Sequence, residues 1–260
     1  RDYATFRRAL DDLAKQSGHP ELATVPWCLW GHSGGGFWAS IMMTLHPERT
    51  VAVWCRSGTA FIPWEKGEIP KPNLTPAVYE IPVMCNPGVK ERDDKRFAGA
   101  WNGCLEMFRA YRKAGAPIGF APDPRTGHEC GDSRYLAIPW FAACLELRLP
   151  ERGSKDQKLR VIDQAQGWLA KELGDTALPA SKYFNPANEA VWLPNETVAQ
   201  TWQQYVKSGE PLDKTPPPAP TEFRYQVQNG DAAGRVLTWQ ARADFESGLA
   251  GFVILSDGKV

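Results

Sequence analysis

Between residues 25 and 150 the chain alternates short, almost wholly apolar runs with longer stretches in which apolar side chains recur every three or four positions. The runs are 25–30, 51–55, 81–85 and 117–121, and the longer stretches are 35–45, 95–114 and 133–147. A short apolar run without alternation reads as a strand buried on both faces, and a period near 3.6 reads as a helix. Strands and helices in turn predict an α/β fold, a parallel sheet with flanking helices. Upstream of the first run, Tyr3, Phe6, Leu10 and Leu13 fall at helical spacing and predict an amphipathic helix.

Two stretches break the pattern. Residues 58–80 carry Phe61, Trp64, Tyr79 and a series of prolines (Pro63, Pro70, Pro72 and Pro76, with Pro82 just beyond), which excludes one regular element and suggests a lid or pocket wall. After Pro150 the alternation stops, and two further helices are predicted, 160–173 and 198–207. In the second, Val198, Trp202, Tyr205 and Val206 share a face, Asn195 is placed to cap the start and Gly209 to stop the end. Residues 1–210 are therefore read as one domain, with 151–210 as its helical extension.

The segment "PLDKTPPPAP" at 211–220 has the composition of a stiff, extended connector. Beyond it the character is β: Phe223, Tyr225 and Val227 alternate, Asn229-Gly230 signals a turn, and "VLTW" and "GFVIL" read as strands. About three strands fit in 221–260 where a β-sandwich has about seven, so this second domain is expected to be incomplete and the chain an interior piece of a longer protein.

Composition narrows the function classes. The 260 residues are 43% hydrophobic and 23% charged, as in soluble globular proteins, with 30 basic and 30 acidic side chains and no long block of one sign. An electrostatic grip on nucleic acid or an anionic membrane is not expected, and no apolar run has the roughly 18 residues needed to span a bilayer. The six cysteines (Cys28, Cys55, Cys85, Cys104, Cys130, Cys144) include no pair at metal-ligand spacing. Cys28, Cys55 and Cys85 fall in strand-like runs, where free cysteine acts as a small buried hydrophobe. Trp27, Trp30, Trp54, Trp140 and Trp239 also fall in regular patterns and are expected in the core.

The chemistry concentrates around "LWGHSGGGFW", residues 29–38, where Gly31-His32-Ser33-Gly34-Gly35 follows a predicted strand and opens a predicted helix. A serine on such a sharp strand-to-helix turn is lifted clear of the sheet, and a side chain at Gly31 or Gly35 is expected to crowd the turn. The helix start directs N–H groups towards an oxyanion formed at Ser33, with the amide of Gly34 as first donor. Serine needs a base within hydrogen-bond reach. Of the four histidines, His19 lies in a loop, His46 ends the following helix, and His32 points away from Ser33 and is assigned with Trp64 to the substrate pocket. His128, in "TGHECGD" after the last predicted strand, occupies the sheet edge where open α/β sheets bind ligands and is the candidate base. An acid to orient it is expected between them in the chain; Glu91 is favoured, with Asp93 and Asp94 as alternatives that equally suit a helix cap.

In "GHSGG", "HPER", "IPVMCNPGVKE" and "GHECGD", taken in this order, residues 1–150 resemble the C-terminal half of an α/β-hydrolase, closest in flavour to secreted bacterial esterases of the polyhydroxybutyrate depolymerase and feruloyl esterase kind. In related hydrolases the strand before the acid is followed by a glycine, two residues and the acid, which Gly88-Val89-Lys90-Glu91 matches, with Glu for the commoner Asp. The segment from about Pro216 resembles the start of a fibronectin type III domain. The resemblance implies hydrolysis of a small-molecule or polymeric carboxylic ester through a serine acyl-enzyme, without cofactor or metal, in a secreted or periplasmic protein whose first sheet strands and second oxyanion donor lie upstream of Arg1. A prolyl-oligopeptidase-type peptidase shares the elbow and the residue order, and a catalytically degenerate hydrolase serving as an extracellular binding module is the alternative outside enzymes.

Overall fold

A computed structural model describes residues 3–151, 153, 157–227, 235–244 and 248–255. The chain divides into two compact units, Arg1–Glu210 and Pro211–Val260.

Four strands of the first unit, β1 (Trp27–His32), β2 (Thr50–Arg56), β3 (Val83–Asn86) and β4 (Ile118–Phe120), form a parallel sheet in chain order. Gly31, Cys55 and Cys85 stand level across β1 to β3, as do His32, Arg56 and Asn86. Every residue of β2 and β3 is buried, as the unalternating apolar runs require. The helices are α1 (Ala4–Ser17), α2 (Gly34–Leu45), the short α3 (Phe61–Glu65), α4 (Ala98–Lys113) and α5 (Arg134–Arg148).

Successive strand residues point to opposite faces. On one face Trp54 meets Trp140 of α5 edge-on, with ring centroids 5.7 Å apart. On the other, Cys55 reaches the carbonyl of Gly36 in α2 at 3.9 Å, and Cys104 of α4 reaches the Cys55 carbonyl at 4.0 Å. The sheet is thus covered on both sides. Tyr3, at the cap of α1, and Phe6 and Leu10 of α1 pack against this core, while Leu13 is exposed.

Several expectations need correction. β1 begins two residues later than the apolar run and lies at the sheet edge, so its outward-facing side chains are not covered: Trp30 is 44% exposed, and Cys28 is exposed rather than buried. Trp27, Trp54 and Trp140 are buried, as are Cys55 and Cys85. Residues 160–173 are not a helix. They hold a 3-10 turn, Gln164–Gln166, and then β5 (Trp168–Ala170), the centre of a small antiparallel sheet with β6 (Ala177–Pro179) and β7 (Val191–Leu193). A Cβ on Gly167 would fall 2.5 Å from the indole nitrogen of Trp192, so the backbone must pass close there. The extension is therefore mixed rather than helical. Its helix α6 (Glu196–Ser208) matches the prediction, with Asn195 accepting the Val198 N–H at 2.9 Å and Gly209 left-handed at φ 69°.

In the second unit β8 (Thr221–Val227) pairs antiparallel with β9 (Arg235–Gln240), which contains "VLTW". Trp239 is half-buried, its ring 5.2 Å from that of Phe252. Residues 251–255, "GFVIL", form no strand, and Asn229-Gly230 lies outside the described residues.

Candidate active site

Ser33 occupies the single position between β1 and α2. Its φ of 53° is left-handed for a non-glycine residue, a conformation that costs on the order of 1–3 kcal/mol and persists only where the surroundings impose it. They do so here: the Ser33 N–H donates to the Arg56 carbonyl at 2.8 Å, and the Ser33 carbonyl accepts from Phe37 N–H at 3.0 Å. A Cβ on Gly31 would sit 2.1 Å from the Gly35 carbonyl carbon, whereas nothing lies within 4 Å of one on Gly35. The crowding predicted for both glycines therefore applies to Gly31 alone.

Three loops at the same sheet edge bring Ser33, His128 and Glu91 together. His128 Nε2 lies 2.8 Å from Ser33 Oγ, and His128 Nδ1 lies 2.6 Å from Glu91 Oε1. With the proton on Nδ1 donated to the carboxylate, Nε2 is left free to accept from the serine hydroxyl. Glu91 is fully buried in the 3-10 turn Val89–Asp93, and its Oε2 accepts the Gly88 N–H at 3.2 Å. Asp93 and Asp94 are exposed, and Asp94 accepts the N–H groups of Arg96 and Phe97 at 2.7 and 2.9 Å. Of the three carboxylates offered by the sequence, the geometry brings Glu91 to the imidazole and uses Asp94 as a local cap. Gly34 opens α2, where first-turn amides have no intrahelical acceptor.

Ser33, Gly34 and His128 border a cleft of about 570 Å³. Its walls come from the 58–80 segment through Ile62, Pro63, Lys66 and Glu68, and from α4 and the turn before it through Arg96, Phe97, Gly99 and Gly103. The long segment is thus a pocket wall, though not the irregular stretch expected: it contains α3 and the 3-10 turn Pro76–Glu80. Trp64 is a correction, since it faces inward from α3, 1% exposed and edge-on to Phe61, while Ile62 and Pro63 border the cleft. His32 is another. It is not among the cleft-lining residues, and its Nε2 lies 2.5 Å from the His128 carbonyl oxygen. His19 is exposed, with Nδ1 2.9 Å from Glu21 Oε1, and half-buried His46 ends α2.

Sequence reasoning overlooked two residues. Phe97 lies flat on the His128 ring, and fully buried Arg56 reaches the turn carrying His128. A lone Phe after a charged run and an Arg ending an apolar strand give no pattern by which to find them. Among the described residues no group of three or more His, Cys, Asp or Glu side chains is placed to hold a metal ion, and no helix is long and apolar enough to cross a membrane. Comparison of the chain with known protein families, with curated proteins and with solved structures finds no match.

Proposed function

We propose that this chain is the catalytic part of a serine hydrolase that cleaves carboxylic esters through an acyl-enzyme. The observation that carries the reading is the unbroken relay from Ser33 Oγ through His128 to Glu91, at 2.8 and 2.6 Å, bordering an open cleft.

In this mechanism the Ser33 hydroxyl gives its proton to His128 Nε2 as Oγ bonds to the ester carbonyl carbon. Glu91 holds the imidazole in the tautomer that leaves Nε2 available and stabilises the imidazolium that forms. The carbonyl oxygen becomes an oxyanion at the start of α2, where the Gly34 N–H and the helix dipole favour negative charge. The intermediate collapses, and the alcohol leaves with the proton from Nε2. Water then attacks the acyl-serine, passing its proton through Nε2 back to Ser33 Oγ, and the acid is released. The chain's own groups handle every proton in the cycle.

Fluorophosphonate labelling tests this directly. The expected result is stoichiometric modification at Ser33, abolished in Ser33→Ala, together with turnover of aryl esters. A folded chain whose Ser33 takes up no label overturns the proposal.

A further inference from the structure

The strand ends beneath the candidate site carry two long donor side chains where apolar residues would extend the core. His32 closes β1 and Arg56 closes β2, and the two are register partners, side by side at the edge of the sheet. Across them runs the turn that carries His128.

His32 Nε2 donates to the carbonyl oxygen of His128 itself at 2.5 Å. Arg56 takes the residues on either side. Its Nη2 donates to the Gly127 carbonyl at 3.4 Å and to Thr126 Oγ1 at 2.7 Å, and its Nε donates to the Glu129 carbonyl at 3.0 Å, which Nη2 also reaches. Nη1 ties the same guanidinium to the Asn86 carbonyl, at the end of β3, at 2.9 Å. The carbonyls of residues 127, 128 and 129 are thus each held by a side chain from a strand end.

Arg56 is fully buried, yet every acceptor it reaches is a neutral oxygen. The Glu129 carboxylate acts on this guanidinium only through space. A buried guanidinium whose hydrogen bonds all go to neutral oxygens is costly, and fold stability alone is better served by an apolar side chain of similar size. What the guanidinium does that an apolar residue cannot is fix several carbonyls at once through its planar fork of donors.

We infer that His32 and Arg56 form a strand-end clamp whose purpose is to position His128. They fix the backbone of 127–129 so that the imidazole stays in line between Glu91 Oε1 and Ser33 Oγ while protons pass in both directions. The inference rests on the reading of Ser33 and His128 as nucleophile and base. The clamp touches neither substrate nor reacting atoms; it acts through His128, and a misplacement of about 1 Å in such a group costs up to roughly 10²-fold in rate.

The test uses the full chain with His32→Leu, His32→Gln, Arg56→Met and Arg56→Lys, each checked for folding by circular dichroism and thermal melting. His32 is only half-buried, so its variants are informative even where an Arg56 variant fails to fold. The expected result for His32→Leu is a kcat lower by about 10- to 100-fold with KM within about threefold, most of the loss being recovered in His32→Gln, which keeps an N–H donor. A second readout needs no turnover: the far-downfield proton resonance of the His128 Nδ1–H···Glu91 bond is expected to broaden or vanish in His32→Leu and to persist in His32→Gln. A folded His32→Leu with kcat within twofold of the parent and an unchanged resonance overturns the clamp. A parent whose Ser33 takes no fluorophosphonate overturns the catalytic reading instead, and the resonance still decides whether the clamp holds His128.

Discussion

Phe97 lies flat against the imidazole of His128, with ring centroids 3.9 Å apart and planes 9° from parallel, and the Arg96 guanidinium carbon sits 4.9 Å from the centre of the Phe97 ring. The phenyl ring covers one face of the imidazole and, in the proposed mechanism, presents its π-cloud to the imidazolium that would form when Ser33 gives up its proton. Aromatic pairs are worth about 0.5–1.5 kcal/mol beyond the area they bury, so Phe97→Leu is expected to lower kcat/KM by roughly 2- to 10-fold and Phe97→Tyr to retain most activity. Steady-state kinetics on an aryl ester decides; a Leu variant as active as the parent rules the stack out as a contributor.

Glu91 differs from its acidic neighbours in burial as well as in reach. Glu91→Gln keeps the shape but no longer fixes the imidazole tautomer, and kcat/KM is expected to fall on the order of 10³- to 10⁴-fold, as for a comparable change in a serine protease triad. Asp93 is exposed in the same turn, and Asp93→Asn is expected to leave the kinetics of the parent. Equal losses in the two variants would show that loop charge, not the Glu91–His128 bond, is what matters.

The contrast between these carboxylates shows what was legible in the chain. The elbow could be read because a tight strand-to-helix turn demands small residues next to Ser33, and β2, β3, α2 and α4 because burial on both sheet faces leaves apolar runs and helical periods. The 168–193 sheet could not, since three-residue strands are too short to show alternation. The segment "RVIDQAQGWLAKEL" places Val161, Ile162, Ala165, Trp168 and Leu169 at helical intervals, but packing of the Gly167 backbone against Trp192 overrides that local pattern. His32 and Arg56 were illegible for a related reason: a polar side chain at a strand end reads as solvated unless the oxygens that receive it, 30 to 96 residues away, are known.

The thiols divide sharply by environment. Burial pushes Cys55, Cys85 and Cys144 well above the ordinary thiol range, and Cys104 is buried with them, while Cys130 is exposed. Cys28 is exposed as a residue, but the side chains around its sulfur push the thiol up to about 11. Since the thiolate is the reactive form, a raised pKa means less thiolate at neutral pH and more as pH climbs towards that value. Iodoacetamide on the native chain is expected to modify Cys130 first and Cys28 slowly, with Cys28 accelerating steeply between about pH 8 and 11. The other four should react only in denaturant. Peptide mass spectrometry reads each site, and native labelling of Cys55 or Cys85 would mean that the sheet opens.

Residues 151–210 are part of the first unit's core rather than an appendage to it. Trp202 of α6 donates its indole N–H to the Phe120 carbonyl at 2.9 Å, and Tyr205 donates to buried Asp123 at 3.1 Å while accepting from Asn86 at 3.2 Å. Trp192, Leu193, Val198, Trp202 and Tyr205 are all buried. A chain ending at Pro150 strips these groups from β3 and β4 and removes the Tyr205 donor from Asp123 Oδ2 and the Trp202 donor from the Phe120 carbonyl, leaving Asp123 only the Arg125 N–H at Oδ1. Each lost partner costs about 1–3 kcal/mol and each lost large aromatic about 3–5 kcal/mol, against a total stability of about 5–15 kcal/mol for a typical domain. Residues 1–150 are therefore expected to show no cooperative thermal transition and to be digested rapidly by protease. A chain ending at Glu210 keeps every one of these contacts and is expected to melt cooperatively. Circular dichroism melts of the two truncations separate the cases, and a cooperative transition in the shorter one would mean that the four-stranded sheet and its helices are self-sufficient.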